Sequence, residues 1–271
     1  SSAASDVYKR QALLNDEFVL YYQPKVHMVT GAVTGVEALL RWQPEGKPLV
    51  MPDRFIPVLE ETGLIVQAGA WVLQEACRQL MVWRSHGMPP IGVAVNVSAR
   101  QLQSPGFVEL VERVLKETRL EPRWLELELT ETIFVDNASD NVRVLRRLAD
   151  LGVSLAIDDF GTGHSSLSYL SNFSPRTLKI DRSFLSEAGD GSDNIAIARA
   201  IIALGHGMGM YVVAEGVETE AQVDFLRGYG CDQMQGYLLS KPLPADQLEQ
   251  WLRARIQSQL SLNAARRAAL V

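Results

Sequence analysis

Short β-rich runs alternate with longer segments of helical period along most of this chain, and that alternation constrains the fold more than any other feature. The runs lie at 18–26, 33–40, 91–97, 124–129, 153–157, 177–180, 211–214 and 233–239. Helical periodicity fills 64–83, 107–118, 137–151, 194–206 and 218–229 between most of them. Asp136 or Asn137, Asp193 or Asn194, and Thr219 can cap helix starts, while Gly152 and Gly209 supply stop signals. Crossovers of this length make neighbouring strands parallel and lay helices on the sheet. The runs 91–95 and 153–157 are nearly all apolar, as strands covered on both faces should be. The first two runs differ. Only 27–32, around Gly31, separates them, too short for a helical crossover, so they should pair as an antiparallel hairpin. Eight such strands suggest a closed barrel with one reversed strand; an open doubly wound sheet is the alternative.

The acidic residues fall where a barrel would gather them. Glu37 lies in the second run, Glu128 near the end of the fourth, and Asp158 and Asp159 at the end of the fifth. Asp181 follows the sixth, Glu215 follows the seventh, and the amide Asn96 closes the third. In a (β/α)8 barrel the C-terminal strand ends share one mouth, where active sites of this architecture sit. Carboxylates crowded there need protons or cations to offset their repulsion. Oxygen-only donors favour hard ions such as Mg²⁺ or Mn²⁺ over Zn²⁺. The doublet Asp158–Asp159 could hold two ions about 3.5–4 Å apart, the spacing of two-metal phosphoester hydrolysis. Lys179 and Arg41 add positive charge suited to a phosphate.

Glu37-Ala38-Leu39-Leu40-Arg41-Trp42 resembles the signature of the EAL domain, the bacterial phosphodiesterase that opens cyclic di-GMP. The resemblance spans about 18–243. It includes Tyr22-Gln23-Pro24-Lys25, Pro52-Asp53-Arg54-Phe55-Ile56-Pro57, Glu60-Glu61-Thr62-Gly63 and Asn96-Val97-Ser98. It continues through Glu128-Leu129-Thr130-Glu131, Asp158-Asp159-Phe160-Gly161-Thr162-Gly163, Lys179-Ile180-Asp181, Ala214-Glu215-Gly216-Val217-Glu218-Thr219 and Gln235-Gly236-Tyr237. So many motifs in order are far more specific than three letters.

The resemblance implies a TIM-like barrel whose first strand runs antiparallel, and it implies roles. Glu37, Asn96, Glu128 and Asp158 would ligate a first metal; Asp158, Asp159 and Glu215 a second. Glu215 would also accept a proton, and Lys179 would orient the attacking water. Glu131 would steady the loop after Asp159, a loop tied in the family to dimerisation. Gln23, Leu39, Arg41, Asp181, Glu218 and Gln235 would contact substrate or its water. Two Mg²⁺ or Mn²⁺ ions are the expected cofactors, with Ca²⁺ inhibitory. His164 and Thr132 depart from the family's usual Tyr and Ser, flanking the mobile elements rather than the ligand set. A catalytically silent cyclic di-GMP receptor is the competing reading, disfavoured because every expected ligand and the lysine are present.

Composition excludes other classes. A net charge of −6 argues against binding a nucleic acid polymer. Cys77 and Cys231 are far apart without metal-ligand spacing, and the four histidines show no pairing, which disfavours a zinc enzyme. No apolar stretch approaches a membrane span, so a cytoplasmic domain is expected, without membrane contact of its own and possibly part of a membrane-anchored protein. The boundaries read as a flanking helix or linker at 1–15, a barrel at 16–258 and a tail at 259–271, with a sensor or cyclase domain expected upstream.

Overall fold

A computed structural model describes residues 17–134, 138–162, 173, 175–185 and 193–268. The expected cap at Asp136 or Asn137, the flanking segment 1–15 and His164 lie outside the described residues. The hairpin forms as its short connection required. Strands β1 (Phe18–His27) and β2 (Val33–Trp42) pair antiparallel, with Gln23 opposite Glu37 and Lys25 opposite Gly35. Strands β3 (Gly92–Asn96), β4 (Leu125–Thr130), β5 (Ser154–Phe160), β6 (Thr177–Ile180), β7 (Tyr211–Ala214) and β8 (Gln233–Met234) follow in parallel order. β8 then pairs antiparallel with β1, so the sheet closes on itself. An open sheet is ruled out. A short outer strand, β9 (Leu243–Pro244), pairs with Tyr21 and Tyr22 of β1.

Helices α1 (Ile56–Thr62), α2 (Ile65–Ser85), α3 (Ala99–Leu102), α4 (Phe107–Thr118), α5 (Ala138–Asp150), α6 (Asp193–Gly207), α7 (Glu220–Gly228) and α8 (Ala245–Ala268) accompany the sheet. α4 shows why its sequence is helical: Phe107, Val108, Val111, Val114 and Leu115 are buried at a spacing that makes one stripe. Thr219 caps α7 as expected, and its capping box with Gln222 satisfies two orphan N–H groups at once. Gly152 and Gly209 take positive φ just after α5 and α6. The core lies between barrel and helices, where Leu73, Leu80 and Trp83 of α2 meet Val93, Leu127 and Leu129. Cutting one such leucine to alanine costs about 2–5 kcal/mol. A second cluster seats Phe55, Leu59 and Ile65 against Phe18 beside the rim.

One strand is shorter than its sequence suggests. The run 233–239 is extended only over Gln233–Met234 before the chain turns. The Val217 N–H donates to Gln235 O and the Leu238 N–H to Val217 O, folding this segment over the β7 end. Gly236 packs against the Val217 backbone so closely that no Cβ fits.

Candidate active site

Strand register decides which side chains see the barrel axis. Across the ladder, Glu37 aligns with Ala94, Asn96 with Glu128, Thr130 with Asp158, and Lys179 with Val213. Every second residue then faces inward, as strand geometry demands. The inward set carries the charged and amide side chains among small or apolar ones such as Ala94 and Val213, whereas the outward set, such as Val36, Val95, Leu127 and Leu178, is fully buried and apolar.

At the centre stands Lys179, whose Nζ is 2.6 Å from Glu215, 2.7 Å from Glu128, 3.2 Å from Asp158 and 3.8 Å from Glu37. Burial alone would lower its pKa, but Glu128, Glu215, Glu37 and Asp158 outweigh that and hold the ammonium well above its ordinary value. Glu128, Glu215 and Asp159 are also shifted upward, which for a carboxylate disfavours the charged form. Burial, then repulsion from Glu37, pushes Glu128 up despite the two lysines beside it. Glu215 is raised strongly by burial and by Asp158, Glu37 and Glu128, against the pull of Lys179. Asp159, desolvated and facing Asp158 and Asp181, is pushed up to about 6. The cluster is short of positive charge.

Asp158 and Asp159 should point to opposite sides of a regular strand. The register with β6 slips between Ile157 and Phe160, and Asp159 adopts φ 53. A non-glycine residue there costs about 1 kcal/mol. The slip lets Asp158, Asp159 and Glu215 each bring an oxygen within 4.8 Å of the others, close enough to share a cation. Glu37 and Glu128 stand outside that group of three and join it through Lys179. Amide groups orient Glu37: Asn96 Nδ2 donates to one oxygen at 2.7 Å and Gln235 Nε2 to the other at 2.6 Å. Gln235 also donates to Gln23 Oε1 at 2.9 Å. Its own buried Oε1 has no partner among the described residues.

The remaining predicted residues ring this cage. Glu131 is buried just past β4 and accepts from the Gly161 N–H, two residues after Asp159, at 3.2 Å. Beyond Thr162 most of the loop after Asp159 lies outside the described residues. Arg41 is buried with its guanidinium 5.7 Å from the Tyr21 ring centroid. Leu39 borders a cleft of about 390 Å³ that reaches Asn96 and Glu128. Asp181 accepts from the Ser183 N–H just past β6, and Glu218 is exposed after β7. The acids singled out along the runs thus converge, with Glu37 within β2 and Glu128 near the end of β4 as their runs placed them. Given no role by the sequence were Lys25 and Glu126, which pair at 2.7 Å on the floor side of Glu128, Lys25 buried and Glu126 partly exposed. The signal was present: Glu126, Glu128 and Thr130 are polar at alternate positions of β4, as Gln23 and Lys25 are on β1.

Fold and site together define a closed β/α barrel with a carboxylate cage at its mouth, a class suited to holding divalent metal. A model of the EAL domain matches residues 9–242. The chain belongs to the EAL domain family. It is 48% identical over 239 residues to the bifunctional diguanylate cyclase/cyclic di-GMP phosphodiesterase MucR of Pseudomonas aeruginosa, covering 88% of this chain and 35% of that protein. The cyclic di-GMP phosphodiesterase NbdA of the same organism is 44% identical, with 90% and 31% covered. The chain therefore spans about a third of the length of these curated relatives. A solved MucR phosphodiesterase in complex with c-di-GMP superposes with a TM-score of 0.85, covering 88% of this chain and 97% of that one. Among the described residues no helix is long and apolar enough to cross a membrane.

Proposed function

We propose that this barrel hydrolyses cyclic di-GMP to linear 5′-pGpG with the help of two divalent cations, Mg²⁺ or Mn²⁺. The observation that carries the reading is the convergence of Glu37, Glu128, Asp158 and Glu215 on one buried ammonium, with Asp159 beside them. Along the axis, six carboxylates (these five and Glu126) face two ammonium groups, Lys25 and Lys179. With all ionised, six minus two leaves four negative charges, which two divalent ions would offset. The donors are all oxygens, as hard cations require. Glu37, Asn96, Glu128 and Asp158 would hold one ion, and Asp158, Asp159 and Glu215 the other.

Such ions supply Lewis acidity toward water and phosphoryl oxygens. The chain's own residues do the rest. Glu215 accepts a proton from the attacking water, which Lys179 orients from 2.6 Å away from that carboxylate. Lys179 also stabilises negative charge growing on the phosphoryl group. Gln23, Leu39, Arg41, Asp181, Glu218 and Gln235 contact the dinucleotide, and the Arg41 guanidinium can give a non-bridging oxygen paired hydrogen bonds. In-line attack breaks one phosphodiester and releases the 3′ oxygen. Glu131 keeps the turn after Asp159 in register with the cage, and that loop is the proposed dimer contact. The barrel, 16–258, acts as a cytoplasmic module of a longer protein with a sensor or cyclase domain upstream. Similarity to named phosphodiesterases supports this reading.

Chromatography of cyclic di-GMP after incubation with the protein and Mg²⁺ or Mn²⁺ tests it. Linear product that disappears with chelator supports the proposal; recovery of intact cyclic dinucleotide would overturn it in favour of a receptor. Ca²⁺, larger and looser in geometry, should support turnover poorly.

A further inference from the structure

Lys25 has no part in the chemistry above, yet it is almost fully buried, and among the described residues its ion-pair partners are Glu126 and Glu128. Its Nζ lies 2.7 Å from Glu126 Oε1 and 3.3 Å from Glu128 Oε1, while Glu128 Oε2 takes Lys179 at 2.7 Å. Glu126 is fixed in turn, because its second oxygen accepts from Thr177 Oγ1 at 2.7 Å. The barrel makes room for this arrangement. Lys25 faces Gly35, and a Cβ there would stand 3.6 Å from Lys25 Cε and 3.1 Å from the Gly92 carbonyl oxygen.

We propose that Lys25 is a positioning residue for the cage: anchored by Glu126 and Thr177, it grips one oxygen of Glu128 from the floor and turns the other toward the mouth. The idea rests on the metal-dependent reading of the site. A buried lysine–glutamate pair adds little stability over an apolar pair of the same volume. What couples this pair to the reaction is its third contact, to Glu128. Groups that orient metal ligands from behind typically alter metal affinity or activity by about 10–100-fold when removed.

The experiment compares the full chain with Lys25→Arg, the single variant Lys25→Met and the compensated variant Lys25→Met/Glu126→Gln. Mn²⁺ affinity is read by electron paramagnetic resonance of the free ion, alongside melting temperature, kcat and KM. The double variant removes one positive and one negative charge, so a change in Mn²⁺ affinity reports geometry rather than net charge. Expected is near-native melting with Mn²⁺ bound about 10–100-fold more weakly and a loss in kcat larger than any change in KM. Lys25→Arg should recover most of the affinity. Native Mn²⁺ affinity in the double variant would overturn the proposal, leaving Lys25 as a counter-charge for Glu126. If that variant does not fold, Thr177→Val decides: a several-fold weaker Mn²⁺ affinity supports the anchor, and an unchanged one overturns it. A native protein that neither binds Mn²⁺ nor turns over cyclic di-GMP sinks the hydrolase reading instead, a different result from all of these.

Discussion

Two lysines sit inside this barrel, one above the other, and they face different company. Lys25 on the floor meets Glu126 and shares Glu128, so its charge is about matched. Lys179 meets Glu37, Glu128, Asp158 and Glu215 within 3.8 Å, with Asp159 nearby, so it is outnumbered. The pKa directions record the contrast. On the floor, burial pushes Glu126 up, but Lys25 and Thr177 more than reverse it and hold the carboxylate low. In the mouth, Glu128 and Glu215 are forced upward even beside an ammonium. A balanced pair is finished structure, whereas an unbalanced cluster has an appetite for more cations.

The sharpest way to break this contrast is to remove a mouth carboxylate. Asp158→Asn or Glu128→Gln should cut turnover by at least about 10²–10³-fold with the fold retained by circular dichroism; near-native rates in either would refute the ligand assignment. Next in size is Lys179→Met, measured by denaturant unfolding in chelator. Losing one partner of a buried charge cluster costs about 3–5 kcal/mol, and Mn²⁺ should restore more of it here than after Lys25→Met, where the ion binds more weakly. Metal alone should stabilise the native protein by about 2.7 kcal/mol at a hundred times its dissociation constant. A melting temperature indifferent to Mn²⁺ would put the mouth on the same footing as the floor.

A pH series sharpens the contrast further. Asp159 has a raised pKa of about 6, so the unfolded chain ionises first as pH rises. Chelated protein should therefore lose stability between about pH 4 and 6, and cation affinity should climb across the upper part of that window. Asp159→Asn should flatten this component of the melting profile; an unchanged profile would show that another group titrates there. The smallest effect belongs to the floor. Thr177→Val removes one hydrogen bond to Glu126 and should cost about 0.5–1.5 kcal/mol in denaturant unfolding.

The mouth was far more legible in the sequence than the floor. Glu37, Glu128 and Asp158 sit on three different strands and Glu215 just past a fourth, and barrel closure is what unites them, so alternation of strands and helices was enough to expect their meeting. The hairpin was equally readable, because six residues cannot make a crossover. Lys25 and Glu126 escaped because each looks like an ordinary solvated charge until the ladder register turns it inward. The early end of β8 escaped too, since its cause is Gly236 lodged against Val217, a contact between segments rather than a local preference. The slip at Asp159 was invisible for the opposite reason, being a local backbone choice that only the cage rewards.

The reversed first strand has a consequence for how the domain is wired. Because β1 runs against its neighbours, Phe18 pairs with Trp42 at the rim of the mouth rather than at the base. Glu17, just ahead of it, is tethered twice there, accepting from the Trp42 indole at 2.9 Å and from the Gln43 N–H at 2.7 Å. A tug or twist on the polypeptide entering the barrel is thus delivered to the catalytic lip, one strand-length from Gln23 and Lys25, with no need to travel through the helices outside.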